Sequence, residues 1–237
     1  MAETFTARVI GVADLTHDVR ELRLRLITPP RIEFLPGQFV SFEIERPGAR
    51  FKATRAYSVV STPDTGDVIH LLLNRVPEGP GSEYLFGLAA GHDTRFRGPF
   101  GTFTLPAEGT RELLFDATDT GIAPLWSMLW WLAAHDPARR VTLIWGLPAS
   151  RDVYYREELA RLREMMPDLS AVVALSDPDD TWTGATGDVR AQVATLAADV
   201  SGLEVFICGG SVMIADVTAI IKSRGTCPIH KEQYYRG

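Results

Sequence analysis

Apolar and polar residues alternate in short runs through the first part of the chain. Residues 6–12, 19–27, 38–44, 55–60, 68–76 and 93–97 are rich in β-branched or aromatic side chains and are bounded by Gly, Pro or Asp. A period of two puts successive side chains on opposite faces, so each run predicts a half-buried strand. Six strands of this kind close most simply as a small antiparallel β-barrel. From Glu112 onward the pattern changes. Strand-like runs at 113–117, 141–145, 172–175 and 205–208 alternate with helix-like stretches at 124–134, 156–166, 189–198 and 212–224. Strand and helix in turn predict an α/β domain with a parallel, Rossmann-like sheet covered on both faces. The polar, glycine-containing segment 106–111 lies where the pattern switches, so the expected domains are 1–108 and 109–237.

Composition narrows the class. The chain has 237 residues, 46% of them apolar and 23% charged, which is the profile of a globular protein rather than a disordered one. Its formal charge of -6 argues against a general electrostatic grip on nucleic acid or an anionic membrane. The excess acid lies in the second half: the net charge is -1 before Gly109 and -5 from there on. Two cysteines, Cys208 and Cys227, are too few for a structural zinc cluster or a four-thiolate iron–sulfur centre, and no metal site is expected. The first dozen residues lack the apolar stretch of a signal peptide. The longest apolar-rich run, 123–134, falls short of the roughly 20 residues that span a bilayer. The expectation is a cytoplasmic protein with reduced thiols and no membrane anchor.

Four short segments carry candidate chemistry. Arg55-Ala56-Tyr57-Ser58 opens a predicted strand, with Arg55 and Tyr57 on one face and Ser58 on the other. A cation two residues from an aromatic plane suits a flat, anionic ligand, although an exposed Arg beside a packed Tyr has the same spacing. Gly79-Pro80-Gly81-Ser82 is a glycine turn whose backbone N–H groups and hydroxyl could cradle phosphate, or a plain turn. Thr120-Gly121-Ile122-Ala123-Pro124 leads from a predicted strand into a helix with Pro in its first turn, and Cys208-Gly209-Gly210-Ser211-Val212-Met213 repeats that arrangement. Such strand-to-helix turns present free backbone donors to a diphosphate.

Taken in order, these segments resemble the ferredoxin-NADP reductase superfamily, and within it the flavin reductase modules of bacterial ring-hydroxylating oxygenases. The resemblance runs through Pro36-Gly37-Gln38-Phe39, Arg55 to Ser58, Gly79 to Ser82, Gly98-Pro99-Phe100-Gly101, Thr120 to Pro124, Trp182-Thr183-Gly184, Cys208 to Met213 and Glu232-Gln233-Tyr234. It implies an FAD-binding barrel, with FAD favoured over FMN, followed by an NAD(P)-binding domain. By this resemblance Arg55 would pair with the flavin phosphates, and Tyr57 would lie against the isoalloxazine ring. Ser58 would hydrogen-bond near the reactive nitrogen N5, Gly79, Gly81 and Ser82 would hold the diphosphate, and Ala56, Leu73 and Arg75 would complete the flavin site. Thr120, Gly121 and Pro124 would line the path of NADH or NADPH, with Gly146, Ser176, Asp177, Gly210 and Met213 also on the dinucleotide. Cys208 and Gly209 would sit where nicotinamide meets flavin, with Glu232 and Tyr234 closing that place. Ser58, Cys208 and Glu232 are the implied catalytic residues. The implied activity is that of a ferredoxin–NAD(P) reductase, passing electrons from reduced nicotinamide through flavin to a separate iron–sulfur protein such as an oxygenase ferredoxin.

Three departures from the family pattern matter. The glycine before Thr-Gly is here Asp119, a carboxylate near the expected diphosphate; two charges about 5 Å apart interact by roughly 3 kcal/mol at an effective dielectric of 20. Where relatives carry Arg for a 2′-phosphate, Gly146 is followed by Leu147-Pro148 and Ser176 by Asp177, which favours NADH. The Cys-Gly-Pro turn is here Cys208-Gly209-Gly210. Two other readings stay open: a reductase that uses free flavin as substrate, and a flavin-binding redox sensor or regulatory subunit in which Asp119 impairs dinucleotide binding.

Overall fold

A computed structural model describes residues 2–45, 52–107 and 109–234. Glu108, the last residue of the expected first domain, lies outside the described residues. The chain divides into two compact units, one built mainly from residues up to Leu105 and the other mainly from Pro106 onward.

The first unit is a six-stranded antiparallel sheet. Its strands are β1 (Glu3–Asp14), β2 (Val19–Thr28), β3 (Phe39–Ile44), β4 (Ala53–Ser58), β5 (Val68–Asn74) and β6 (Asp93–Phe100), in the order β4-β3-β6-β1-β2-β5. The alternation in sequence is the alternation in space: Phe5, Ala7 and Val9 of β1 are buried while Arg8 and Ile10 face water. Two register shifts between β1 and β2 add curvature, and the sheet curls until its two outer strands approach each other. Past the end of β4, Val59 bridges Leu71 of β5, and the Val60 N–H donates to the His70 carbonyl at 2.9 Å. The interior is filled by Phe42, Phe96, Leu22, Leu24, Ile69, Leu71 and Leu73, with the Phe42 and Phe96 rings 5.6 Å apart. Between β5 and β6 lies α1 (Pro80–Phe86), where the sequence predicts only a glycine turn followed by an apolar segment. At two turns it is too short to display a helical period; Pro80 starts it and Leu85 is driven into the core.

In the second unit every ladder is parallel. The strands are β7 (Glu112–Thr118), β8 (Val141–Leu147), β9 (Leu169–Leu175), β10 (Ala185–Thr186), β11 (Leu203–Gly209) and β12 (Ile229–Gln233). The helices are α2 (Ile122–His135), α3 (Arg156–Met165), α4 (Val189–Leu196) and α5 (Ser211–Ser223). The sheet order is β10-β9-β8-β7-β11-β12. The chain starts at the centre, winds outward through β8, β9 and β10, then crosses back to lay β11 on the other side of β7. On one face Leu114, Ile144, Val205 and Ile207 pack against Val189 and Val193 of α4 and Ile214, Val217 and Ile221 of α5. Leu113, Phe115, Leu143, Trp145 and Phe206 alternate onto the opposite face and are equally buried. The short β10 and the polar edge strand β12, Ile-His-Lys-Glu-Gln, carry no apolar pattern that sequence could reveal. Among the described residues no helix is long and apolar enough to cross a membrane.

Candidate functional site

In the first unit, candidate chemistry gathers where β4 meets α1. Pairing with β3 sets Tyr57 opposite Val40 and Arg55 opposite Phe42. Tyr57 is half-buried, its ring edge-on to Phe42 at 5.8 Å. Burial pushes its phenol up to about 12, with Arg55 opposing, so it stays neutral at any working pH. Arg55 is exposed and donates to the Thr54 carbonyl at 2.9 Å. Both residues lean on Gly81: a Cβ there would collide with the Tyr57 hydroxyl and stand 2.8 Å from Arg55 Cγ. One strand and the first turn of one helix thus bring a guanidinium and a phenol ring together against the buried Gly81 backbone.

The turn before α1 is closed tightly. Glu78 adopts φ +57°, the Gly79 N–H donates to the Val76 carbonyl at 3.0 Å, and the Ser82 hydroxyl accepts the Val76 N–H at 2.9 Å. What Ser82 can still offer a ligand is its proton. Ala56 is exposed and Ser58 half-buried at the end of β4. Leu73 is a core residue at 1% exposure, so only its backbone is available for binding. Arg75 is exposed and places its guanidinium over the Phe86 ring, 4.4 Å from the centroid, beside Arg20 at 4.7 Å.

In the second unit the site is the point where the winding reverses. β7 and β11 are neighbours whose continuing chains leave in opposite directions, so a crevice opens at their carboxyl ends. One lip is Thr118-Asp119-Thr120-Gly121, with Asp119–Gly121 in a 3₁₀ turn that leads into α2; the other is Cys208-Gly209-Gly210, which leads into α5. The glycines are required by proximity. A Cβ on Gly121 would stand 2.5 Å from the Cys208 carbonyl oxygen, and one on Gly209 would meet Thr118 Oγ1 at 2.5 Å and collide with the Met213 methyl. Thr120 is half-buried, Pro124 is buried within α2, Gly210 is half-buried and Met213 lies over Gly209. Cys208 is 2% exposed and sits opposite Glu232 in the ladder to β12. Burial, reinforced by the Glu232 charge, raises its thiol well above the ordinary value. It is therefore a small neutral group and no thiolate nucleophile.

Asp119 occupies the left-handed region at φ +50°, which explains the glycine in the family pattern. Its backbone carbonyl accepts Trp145 Nε1 at 3.1 Å and the Tyr154 hydroxyl at 3.2 Å. Its Oδ2 accepts the Tyr234 hydroxyl at 3.3 Å. Trp145 and Tyr154 were not singled out from sequence: Trp145 ends a predicted strand, and Tyr154 lies in the connection between that strand and the next helix. Beside this lip, the Ser176 N–H donates to the Leu147 carbonyl at 3.1 Å and the Asp177 N–H to the Pro148 carbonyl at 2.8 Å. The structure thus brings together the two turns, Gly146-Leu147-Pro148 and exposed Ser176-Asp177, that the sequence placed 30 residues apart. Gly146 itself is buried, close against Val189 and Thr118.

Comparison with known proteins agrees with both halves. Residues 6–105 match the oxidoreductase FAD-binding domain family and residues 117–219 the oxidoreductase NAD-binding domain family. Ferredoxin–NADP reductase B of Sorangium cellulosum is 34% identical over 242 residues, covering 98% of each chain. The reductase component of propane 2-monooxygenase from Rhodococcus jostii is 28% identical over 92% of this chain, which spans only 60% of that relative's length. The crystal structure of an Amycolatopsis cytochrome P450 reductase superposes with a TM-score of 0.89 at 30% identity, over 98% of this chain and 70% of that one. With a curled antiparallel sheet matching the flavin family, a doubly wound parallel sheet matching the dinucleotide family, and near-complete coverage of a relative at one-third identity, the chain belongs to the FAD- and NAD-binding oxidoreductases that include ferredoxin–NADP reductases and oxygenase reductase components, and it is a flavin-dependent enzyme that takes electrons from NAD(P)H through FAD.

Proposed function

We propose that this protein is an NADH-dependent reductase of the cytoplasm that retains FAD on residues 1–108, binds the coenzyme on 109–237, and delivers electrons to a separate iron–sulfur protein such as the ferredoxin of an oxygenase system. The observation that carries the NADH assignment is the pair of turns joined by the Asp177-to-Pro148 hydrogen bond. They offer Leu147, Pro148 and a carboxylate where the family pattern has arginine, so the two turns themselves present a 2′-phosphate with a negative charge in place of a cation.

The residues of the first unit fit FAD. Gly81, having no Cβ, lets Tyr57 and Arg55 pack directly on the start of α1, so the Arg55 guanidinium, the neutral Tyr57 ring and the Ser82 hydroxyl lie together. Arg55 would balance phosphate charge and Tyr57 would present its ring face, while Ser58 would offer its hydroxyl near N5; Leu73 backbone and Arg75 would extend the site. When bound, FAD accepts a hydride from nicotinamide and returns electrons one at a time. In the second unit Gly121 and Gly209 let the two turns pack closely, and the dinucleotide would lie along these turns. Cys208 and Glu232 would border the nicotinamide, the thiol staying protonated and so adding no competing charge.

The purified protein should be yellow, and its flavin should bleach when NADH is added without oxygen and recover when an oxidised ferredoxin follows. A colourless protein that reduces added flavin would instead mark a free-flavin reductase, and a bound flavin that NADH never bleaches would mark a sensor. Arg55→Ala should lower FAD affinity by about 10- to 150-fold, the contribution of one charge-assisted contact, measured as flavin occupancy after gel filtration. Unchanged occupancy would sink the assignment of Arg55.

A further inference from the structure

The peptide between Asp119 and Thr120 is held by two aromatic side chains from outside its own turn. Its oxygen, the Asp119 carbonyl, accepts Trp145 Nε1 at 3.1 Å and the Tyr154 hydroxyl at 3.2 Å, and the Ile122 N–H is directed at the same atom. Both aromatic donors belong to the interior. Trp145 is in β8 and Tyr154 in the connection from β8 to α3; both are buried, and their rings meet edge to face with centroids 4.8 Å apart.

A trans peptide is planar, and its C=O and N–H point in opposite directions. With the Asp119 carbonyl drawn toward Trp145 and Tyr154, the Thr120 N–H is turned away from the interior pair. It is among the first donors of the turn that leads into α2, and such donors have no acceptor within the turn itself. Turning this peptide over would take a buried acceptor away from two buried donors, which is costly. Asp119 adds a second restraint. At φ +50° an L residue has only a narrow range of ψ open to it, whereas glycine, which stands here in the family pattern, lets the peptide turn over.

We propose that Tyr154, with Trp145, is a positioning residue for the coenzyme diphosphate: by pinning the Asp119 carbonyl it holds the Thr120 N–H in the direction in which the diphosphate is met. The proposal rests on the reading of the β7 and β11 turns as the dinucleotide site. Neither aromatic side chain touches the coenzyme; both act through one peptide plane. A donor that is already fixed loses no freedom when the ligand arrives, so the brace contributes to affinity.

The test is calorimetric titration of the FAD-loaded protein with NAD⁺, which leaves oxidised flavin unreduced. Tyr154→Phe keeps the ring and removes only the hydroxyl. It should weaken NAD⁺ by about two- to tenfold, the size of one neutral hydrogen bond. With ferricyanide as acceptor, KM for NADH should rise while kcat holds, because a diphosphate contact is alike in the ground and transition states. In an Asp119→Gly background, where the brace is the main restraint left, the same change should cost more affinity than it does in the parent. In isotope-labelled parent protein the Thr120 amide resonance should move when NAD⁺ is added. Unchanged NAD⁺ affinity in Tyr154→Phe, or an equal loss in both backgrounds, overturns the positioning role and leaves Tyr154 as core packing. A Thr120 amide that stays still while those of Gly121 and Gly209 move overturns it too. If NAD⁺ moves the amides of neither turn, the dinucleotide reading itself falls, and the proposal falls with it.

Discussion

Each unit withdraws a carboxylic acid from water, Glu21 at 6% exposure in the antiparallel sheet and Asp116 at 0% in the parallel one, and the company they keep differs. Glu21 lies on the outer face of β2, where it takes Arg23 Nε at 2.9 Å and faces His70 Nδ1 at 3.7 Å. Asp116 stands in mid-β7 between Ile144 and Ile207, and among the described residues neither of its oxygens has a hydrogen-bond partner. Burial alone pushes it up to about 8. A sheet with one face to solvent offers polar neighbours to a strand acid. At the centre of a sheet covered on both faces Asp116 has aliphatic strand neighbours and stays neutral, whereas Glu204 of the same sheet reaches His230 on the edge strand at 2.8 Å.

The largest expected effect tests this contrast directly. The unfolded chain ionises Asp116 from about 3.9, whereas the folded protein keeps it protonated to about 8. Stability is therefore fully present below about pH 4 and is lost by about 1.4 kcal/mol per unit as pH rises from there toward 8. Asp116→Val should remove that slope and leave the second unit several kcal/mol more stable than the parent at pH 8. The gain should shrink toward pH 4, where only the cost of a buried neutral carboxyl without hydrogen bonds is left. Urea unfolding followed by tryptophan fluorescence checks it, since all five tryptophans lie in the second half of the chain. A valine variant no more stable at pH 8 would show that Asp116 has polar company after all. Glu21→Gln should produce no comparable gain.

A smaller effect separates the two sites. A Cβ on Gly121 meets the backbone of Cys208, which cannot yield, while one on Gly81 meets the side chains of Tyr57 and Arg55, which can swing away. Gly121→Ala should cost about 1 to 3 kcal/mol of stability. Gly81→Ala should cost less than about 1 kcal/mol, with its damage showing as lost flavin after gel filtration. The reverse ranking in urea would mean that the crevice lip relaxes more easily than the flavin corner.

The smallest effect concerns coenzyme choice. Asp177 is exposed, so its charge is screened by water, and Asp177→Arg should raise kcat/KM for NADPH relative to NADH by only about three- to tenfold. No change in that ratio would remove Asp177 from the 2′-phosphate region.

Legibility differed between the sites for a physical reason. Arg55, Tyr57, Gly79, Gly81 and Ser82 fall in two short segments, and strand alternation alone puts Arg55 and Tyr57 on a common side, as the Gly81 contacts show. The crevice draws on residues near 120, 146, 177, 208 and 234, which become neighbours only through the strand order. Sequence could flag Asp119 as a misplaced charge. It could not tell whether that charge faced a diphosphate, solvent or, as it does, the hydroxyl of a tyrosine 115 positions away.

Periodicity and punctuation, which act over a few residues, were enough to determine the strands of both sheets except β10 and β12, the four longer helices, the antiparallel and parallel classes, and the glycine turns that carry the motifs. Tertiary structure alone decided that Asp116 has no hydrogen-bond partner among the described residues, that α1 is a helix seating Leu85 in the core, and that Tyr234 reaches back to Thr118 across 116 positions. Local pattern records which side of an element is apolar. It holds no record of which distant strand will lie alongside, and on that pairing depend the direction of the Asp119 carboxylate and the neighbours of every buried charge.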